Sequence, residues 1–96
     1  MHYVYIIYSL SSDSFYIGET SDLETRLSSH NNKVFDKSFS KIADDWEYFY
    51  IIPCNDRKQA IAIEKHIKKM KSKIYIRNLI LYPEITETLL KKYYYA

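Results

Sequence analysis

From Tyr3 to Ser9 the chain is β-branched and aromatic with a period of two: Tyr3, Tyr5 and Ile7 share one face, and Val4, Ile6 and Tyr8 the other. That pattern predicts a strand over 3–9. Ser11-Ser12-Asp13-Ser14 is turn chemistry, and residues 15–19 return as a second strand, making a hairpin. Ser21-Asp22-Leu23-Glu24 reads as a capping box with serine at the N-cap and glutamate three residues on. It opens a helix through about His30, stopped by Asn31-Asn32, with Leu23 and Leu27 as its buried stripe. Residues 33–45 are polar and irregular, with Phe35, Phe39 and Ile42 as anchors; a connection of that length is where function concentrates. Trp46 to Ile52 reads as a third strand ended by Pro53. Asp56 to Gln59 starts a helix whose core stripe is Ala60, Ile63, Ile67 and Met70. Ser72 caps a third helix through about Leu81, packed by Ile76, Leu79 and Ile80. Pro83 suits the first turn of a last helix in which Ile85, Leu89 and Leu90 face inward, and the tail from Lys91 is expected to fray.

These elements predict one α+β domain over 1–96. Its core, 3–81, is a small three-stranded, mainly antiparallel sheet flanked by helices, followed by a C-terminal helix and tail over 83–96. Apolar residues at 47% and charged residues at 27% are those of a globular chain. With Cys54 alone, no intrachain disulfide can form and nothing suggests zinc, which fits a reducing cytoplasm. The N-terminal apolar run lacks a basic lead-in and reads as a strand, not a signal peptide. No segment approaches the ~20 apolar residues of a membrane span. The formal net charge is only +2, yet Lys65, His66, Lys68, Lys69, Lys71 and Lys73 crowd one short segment. Such a run is a solvated helix face unless a phosphate site lies beside it, when DNA-backbone contact becomes the better reading.

Candidate chemistry gathers around the hairpin. Tyr16-Ile17-Gly18 follows Tyr5 by eleven residues, and Arg26 follows Tyr16 by ten. This offers two phenols, a guanidinium and a glycine that permits close approach. Arg26 and His30 are four apart, on the side of the helix that carries its leucines. The bland reading of His30 is a satisfied histidine at the core edge. Glu64 lies within or beside the stripe of the longer helix, where an ionised carboxylate must be paired, hydrogen-bonded or bound to a metal. An ion pair with Lys68 or Arg26 is the structural alternative. Together the set contains what metal-assisted phosphodiester cleavage needs: a carboxylate for the cation, a cation for the phosphate, and a hydroxyl for the attacking water.

On those residues the chain resembles the GIY-YIG nuclease domain, most of all the small stand-alone bacterial members related to the excision-repair nuclease subunit. The first triplet stands here as Tyr3-Val4-Tyr5 and the second as Tyr16-Ile17-Gly18. The stretches FYIGETSDLETRLSSHN and AIAIEKHIKKMKSKIYIRNLI extend the likeness to about residue 81. The resemblance implies that Tyr5 is the general base or orders the water, and that Tyr16 contacts the scissile phosphate or the water. It implies that Arg26 stabilises the phosphorane charge and that His30 assists the proton relay or holds the phosphate. It makes Glu64 the ligand of one divalent cation, Mg2+ or Mn2+. Gly18, Lys68, Lys71 and Asn78 are the substrate-binding candidates. The first motif glycine is replaced by Tyr3, and the 33–45 segment carries Asp36, Asp44 and Asp45. The expected partner is DNA, single-stranded or branched rather than a long specific duplex site, and the expected state is a monomer or homodimer. A binding module without turnover and a protein-interaction domain are the alternatives.

Overall fold

The computed structural model describes residues 1–32 and 42–95. The hairpin forms as expected. β1 (His2–Ser9) pairs antiparallel with β2 (Ser14–Thr20), and β3 (Trp46–Cys54) pairs antiparallel on the other side of β1, giving the order β2-β1-β3. α1 (Leu23–Asn31) lies between β2 and β3 in sequence, and α2 (Arg57–Met70), α3 (Lys73–Leu81) and α4 (Pro83–Lys92) complete the chain. The tight turn closes with Asp13 at φ 47°, a conformation aspartate tolerates better than most residues. Tyr8 donates to the Asp13 carboxylate, and so does the Lys73 ammonium, from the start of α3.

Both faces of the sheet are covered, which explains why β1 is apolar on both sides. Val4 and Ile6 join Ile52, Ile63, Ile67, Leu79 and Leu89 in the larger core under α2, α3 and α4. Tyr5 and Ile7 point the other way, into a smaller cluster with Trp46 and Ala43, flanked by Tyr16, Leu23, Leu27 and Tyr48. Truncating any one large aliphatic of the main core to alanine costs about 2–5 kcal/mol. The register against β3 shifts between Ile6 and Ile7, which face Tyr50 and Tyr48. The extra residue, Phe49, makes a bulge. It leaves Tyr48 with the Tyr5 cluster while Phe49 and Tyr50 pack against the main core.

Several expectations need correction. Asp22, not Ser21, caps α1, accepting from the Thr25 N–H at 3.2 Å; Ser21 is exposed. Pro53 does not end β3, which continues to Cys54 with Pro53 facing Tyr3. β3 is an edge strand, so a residue without an N–H costs no ladder bond on its solvent side. Met70 is 45% exposed, at the end of the stripe. Ile80 and Ile42 are exposed too, and Ala43 is the buried residue ahead of β3. Phe35, Phe39 and Asp36 lie outside the described residues. The caps at Asp56 and Ser72 and Pro83 at the start of α4 are as the pattern predicts.

Candidate active site

The pairing of β1 with β2 sets Gly18 opposite Tyr5 and Tyr16 opposite Ile7, so alternation turns Tyr5, Tyr16 and Gly18 to the α1 face. The Tyr5 ring lies across Gly18. A Cβ at that position would stand 2.6 Å from Tyr5 Cζ and 2.9 Å from its Cε1. Gly18 does not adopt a positive φ. Its role is to leave space, and the neighbour it admits is the Tyr5 phenol.

α1 delivers the next groups. His30, in its last turn, is 1% exposed, and its Nε2 lies 2.7 Å from Tyr5 Oη. Burial, and then the Arg26 charge, lower the His30 pKa to about 4. Burial also raises the Tyr5 pKa well above the ordinary phenol value; Tyr16 adds to the rise and Arg26 opposes it. At neutral pH the phenol is therefore protonated and the imidazole neutral; in the tautomer with the ring proton on Nδ1, Tyr5 donates to Nε2. A histidine kept neutral by the fold stabilises it fully above the unfolded pKa of about 6.5, and that contribution is lost as pH falls towards 4. The loss should reach about 3 kcal/mol, at 1.36 kcal/mol per unit. Urea midpoints between pH 7 and pH 4 should fall accordingly, and His30→Asn should flatten the profile. An equal slope in the variant would assign the acid sensitivity elsewhere.

Arg26 is half-buried on α1, and its charge lowers the pKa of Tyr5, His30 and Tyr48. Two residues that sequence reasoning missed hold this group in place. Tyr48 meets the Tyr5 ring edge-on at 6.0 Å and donates its hydroxyl to the Leu23 carbonyl. Asn31, expected only to stop the helix, bonds both backbone groups of Trp46: Nδ2 donates to the carbonyl at 3.0 Å, and the Trp46 N–H donates to Oδ1 at 2.7 Å. It thereby fastens the end of α1, one residue from His30, to the start of β3. The signal for Tyr48 was its alternation with Trp46, obscured by the bulge.

Glu64 and Lys68 come from α2, on the other side of the sheet, and meet the tyrosines at the β2 edge. Lys68 Nζ is 2.9 Å from Glu64 Oε1 and 5.9 Å above the Tyr16 ring. The ion pair with Lys68, the structural alternative for Glu64, is thus present. The Glu64 side chain is only 17% exposed, and its charge is one of those that raise the Tyr5 pKa. Tyr16 stands between His30, 4.7 Å away ring to ring, and Lys68. The five candidates Tyr5, Tyr16, Arg26, His30 and Glu64 therefore gather around one edge of the sheet. Lys71 is exposed and ends α2 in the left-handed conformation at φ 48°; with Lys68 it lines a groove of about 250 Å³ between β2 and the α2–α3 corner. Asn78 is not brought in. No hydrogen bond, ion pair or ring contact among the described residues joins its side chain to the tyrosines or Glu64; its backbone carbonyl takes the Tyr82 N–H.

The model of the GIY-YIG catalytic domain matches residues 1–78, most of the chain. The chain belongs to the GIY-YIG family. No curated protein and no solved structure matches it. Membership supports a nuclease-type function and, with it, DNA as the partner. In this GIY-YIG domain the second triplet supplies Tyr16 and the glycine beneath Tyr5. The first supplies Tyr5 on the central strand, where pairing on both sides fixes it.

Proposed function

We propose that this GIY-YIG domain is a metal-dependent endonuclease that hydrolyses DNA phosphodiester bonds, acting on single-stranded or branched DNA with little sequence preference. The observation that carries the reading is the Tyr5–His30 hydrogen bond, set beside Tyr16, Arg26 and the Glu64–Lys68 pair. Tyr5 Oη can take a proton from an attacking water while its own proton passes to His30 Nε2. His30 is a weak acceptor in the resting site, partly because of Arg26. A phosphate that engages the guanidinium offsets that charge and makes the imidazole more basic. Arg26 then faces the charge that develops on the phosphoryl oxygens. Lys68 offers a second cation beside Tyr16.

The donor set also suits a hard cation. Among the described residues no three His, Cys, Asp or Glu side chains cluster as a metal cage, and Glu64 is a single, largely shielded carboxylate. Magnesium and manganese accept such a site, keeping waters and taking phosphate oxygens. A cation held by Glu64 would supply Lewis-acid stabilisation of the phosphate and leaving group.

Purified protein incubated with single-stranded, branched and duplex DNA should cleave in Mg2+ or Mn2+ and not in EDTA. Salt-steep binding without cleavage in any metal would leave a binding module and end the nuclease reading. Tyr5→Phe should lower turnover by about 10²–10⁴-fold, the usual worth of a general base. It should cost only about 1–2 kcal/mol in stability, for the buried His30 Nε2 left without its donor. Wild-type-like turnover would remove Tyr5 from the role.

A further inference from the structure

The lysine-rich segment does not form one face. Successive residues of α2 are turned by about 100°, so Glu64 and Lys68 flank one side of the buried Ala60–Ile63–Ile67 stripe, while Ala62, His66 and Lys69 fall on the opposite flank. That second flank borders a cleft of about 620 Å³ between α2 and α4, lined by Lys65, His66, Lys69, Lys92 and Tyr93 among others. Tyr93 Oη lies 2.9 Å from His66 Nδ1 and holds the ring at the cleft wall. Lys92 Nζ sits over the Tyr93 ring at 5.4 Å.

The charge here differs from that of Lys68 and Lys73, which have acidic partners. Lys68 is matched by Glu64 and Lys73 by Asp13. Among the described residues, Lys65, Lys69 and Lys92 form no ion pair, and no acidic residue lines the cleft. Glu84 lines an adjoining groove with His66 and Lys92 but pairs with neither. Three ammoniums with no acidic residue beside them give the cleft wall a net positive charge, and burial, then the charges of Lys92 and Lys69, hold the His66 pKa below its ordinary value. Lys65 and Lys69 also continue the exposed outer surface of α2 from Lys68. A helix with its side chains is only about 10–12 Å across, so a polyanion passing over α2 can reach both flanks at once.

We propose that the α2–α4 cleft is a second phosphate-binding site, which holds the backbone of a nucleic-acid strand that has crossed α2 from the tyrosine site. The proposal rests on the nuclease reading for the place of cleavage, but not for the binding itself. Lys65 and Lys69 guide the strand over the helix, and Lys92, with the His66–Tyr93 pair behind it, receives a phosphate in the cleft.

The test measures binding of a fluorescent single-stranded DNA in EDTA at several salt concentrations. It compares wild type, the triple variant Lys65→Gln/Lys69→Gln/Lys92→Gln, and a control triple variant that removes the same charge at Arg57, Lys58 and Lys91. Each lost phosphate contact should lower the slope of log K against log salt by about 0.7, so the cleft variant should lose about two units of slope and bind at least about tenfold more weakly at low salt. The control variant should stay near wild type. Mg2+-dependent hydrolysis of a p-nitrophenyl phosphodiester, too small to reach the cleft, should be unchanged in both. Equal losses in the two triple variants would mean diffuse charge and overturn the proposal, as would wild-type slope in the cleft variant. If wild type hydrolyses neither DNA nor the small diester while binding still depends on the cleft, the nuclease reading falls and the cleft stands. No binding by wild type overturns both.

Discussion

Glu64→Gln should abolish metal-dependent cleavage, with a loss of about 10³-fold or more in turnover at saturating Mg2+, if Glu64 holds the cation as its only protein ligand. The substitution keeps the size of the side chain and removes its charge. The fold has little reason to change, since the pair with the half-exposed Lys68 is worth at most about 1 kcal/mol. Activity and stability should therefore part company: a lost reaction beside a nearly unmoved urea midpoint. The Lys68 ammonium, released from its partner, should hold DNA at least as well as before. Turnover within a few-fold of wild type would take the cation away from Glu64, and a collapse of stability would mark the carboxylate as structural.

Gly18→Ala should act in the opposite way, through the fold first. The added methyl would lie 2.6 Å from Cζ of a ring that is itself fully buried, so the clash cannot be relieved by swinging a flexible side chain into solvent. Overpacking of this kind costs about 1–3 kcal/mol. Any shift of the Tyr5 ring also breaks its bond to His30 Nε2, leaving a buried nitrogen without its donor at about 1–3 kcal/mol. We expect the urea midpoint to fall by the equivalent of at least about 2 kcal/mol. Turnover of the fraction that remains folded should drop by about 10² or more, since Tyr5 no longer meets its partner. A stable, active alanine variant would show that the ring can sit elsewhere without loss.

How much of this was legible beforehand depended on the range of the forces involved. Strands β1 and β2, the caps at Asp56 and Ser72, and Pro83 at the start of α4 are set by neighbours in the chain, and local pattern revealed them. The α1 cap fell one residue away because Ser21 and Asp22 are both competent caps, and the choice depends on how Thr20 leaves the strand: its hydroxyl accepts the Asp22 N–H. Met70 looked apolar in the right period, but how far along α2 the stripe stays covered is a question of tertiary packing. Tyr5, Tyr16, Arg26, His30 and Glu64 could be named from spacing and resemblance. Their arrangement could not. That Gly18 exists for Tyr5, that Asn31 pins α1 to β3, and that a bulge at Phe49 keeps Tyr48 in the tyrosine cluster are all facts of pairing between distant segments. The lysine run was the least legible. On paper it was one basic stretch, and only the turn of the helix divides it between two flanks.

The corner after α2 shows one more trade within this small chain. Lys71 adopts a left-handed backbone that crowds its Cβ against the following carbonyl, at roughly 1–2 kcal/mol for an ordinary residue. Glycine would turn there without crowding, and helices commonly end that way. The chain instead keeps a long cationic side chain at this bend, beside the groove it shares with Lys68. Sturdiness has been given up at a joint where an ammonium can be aimed by the backbone itself.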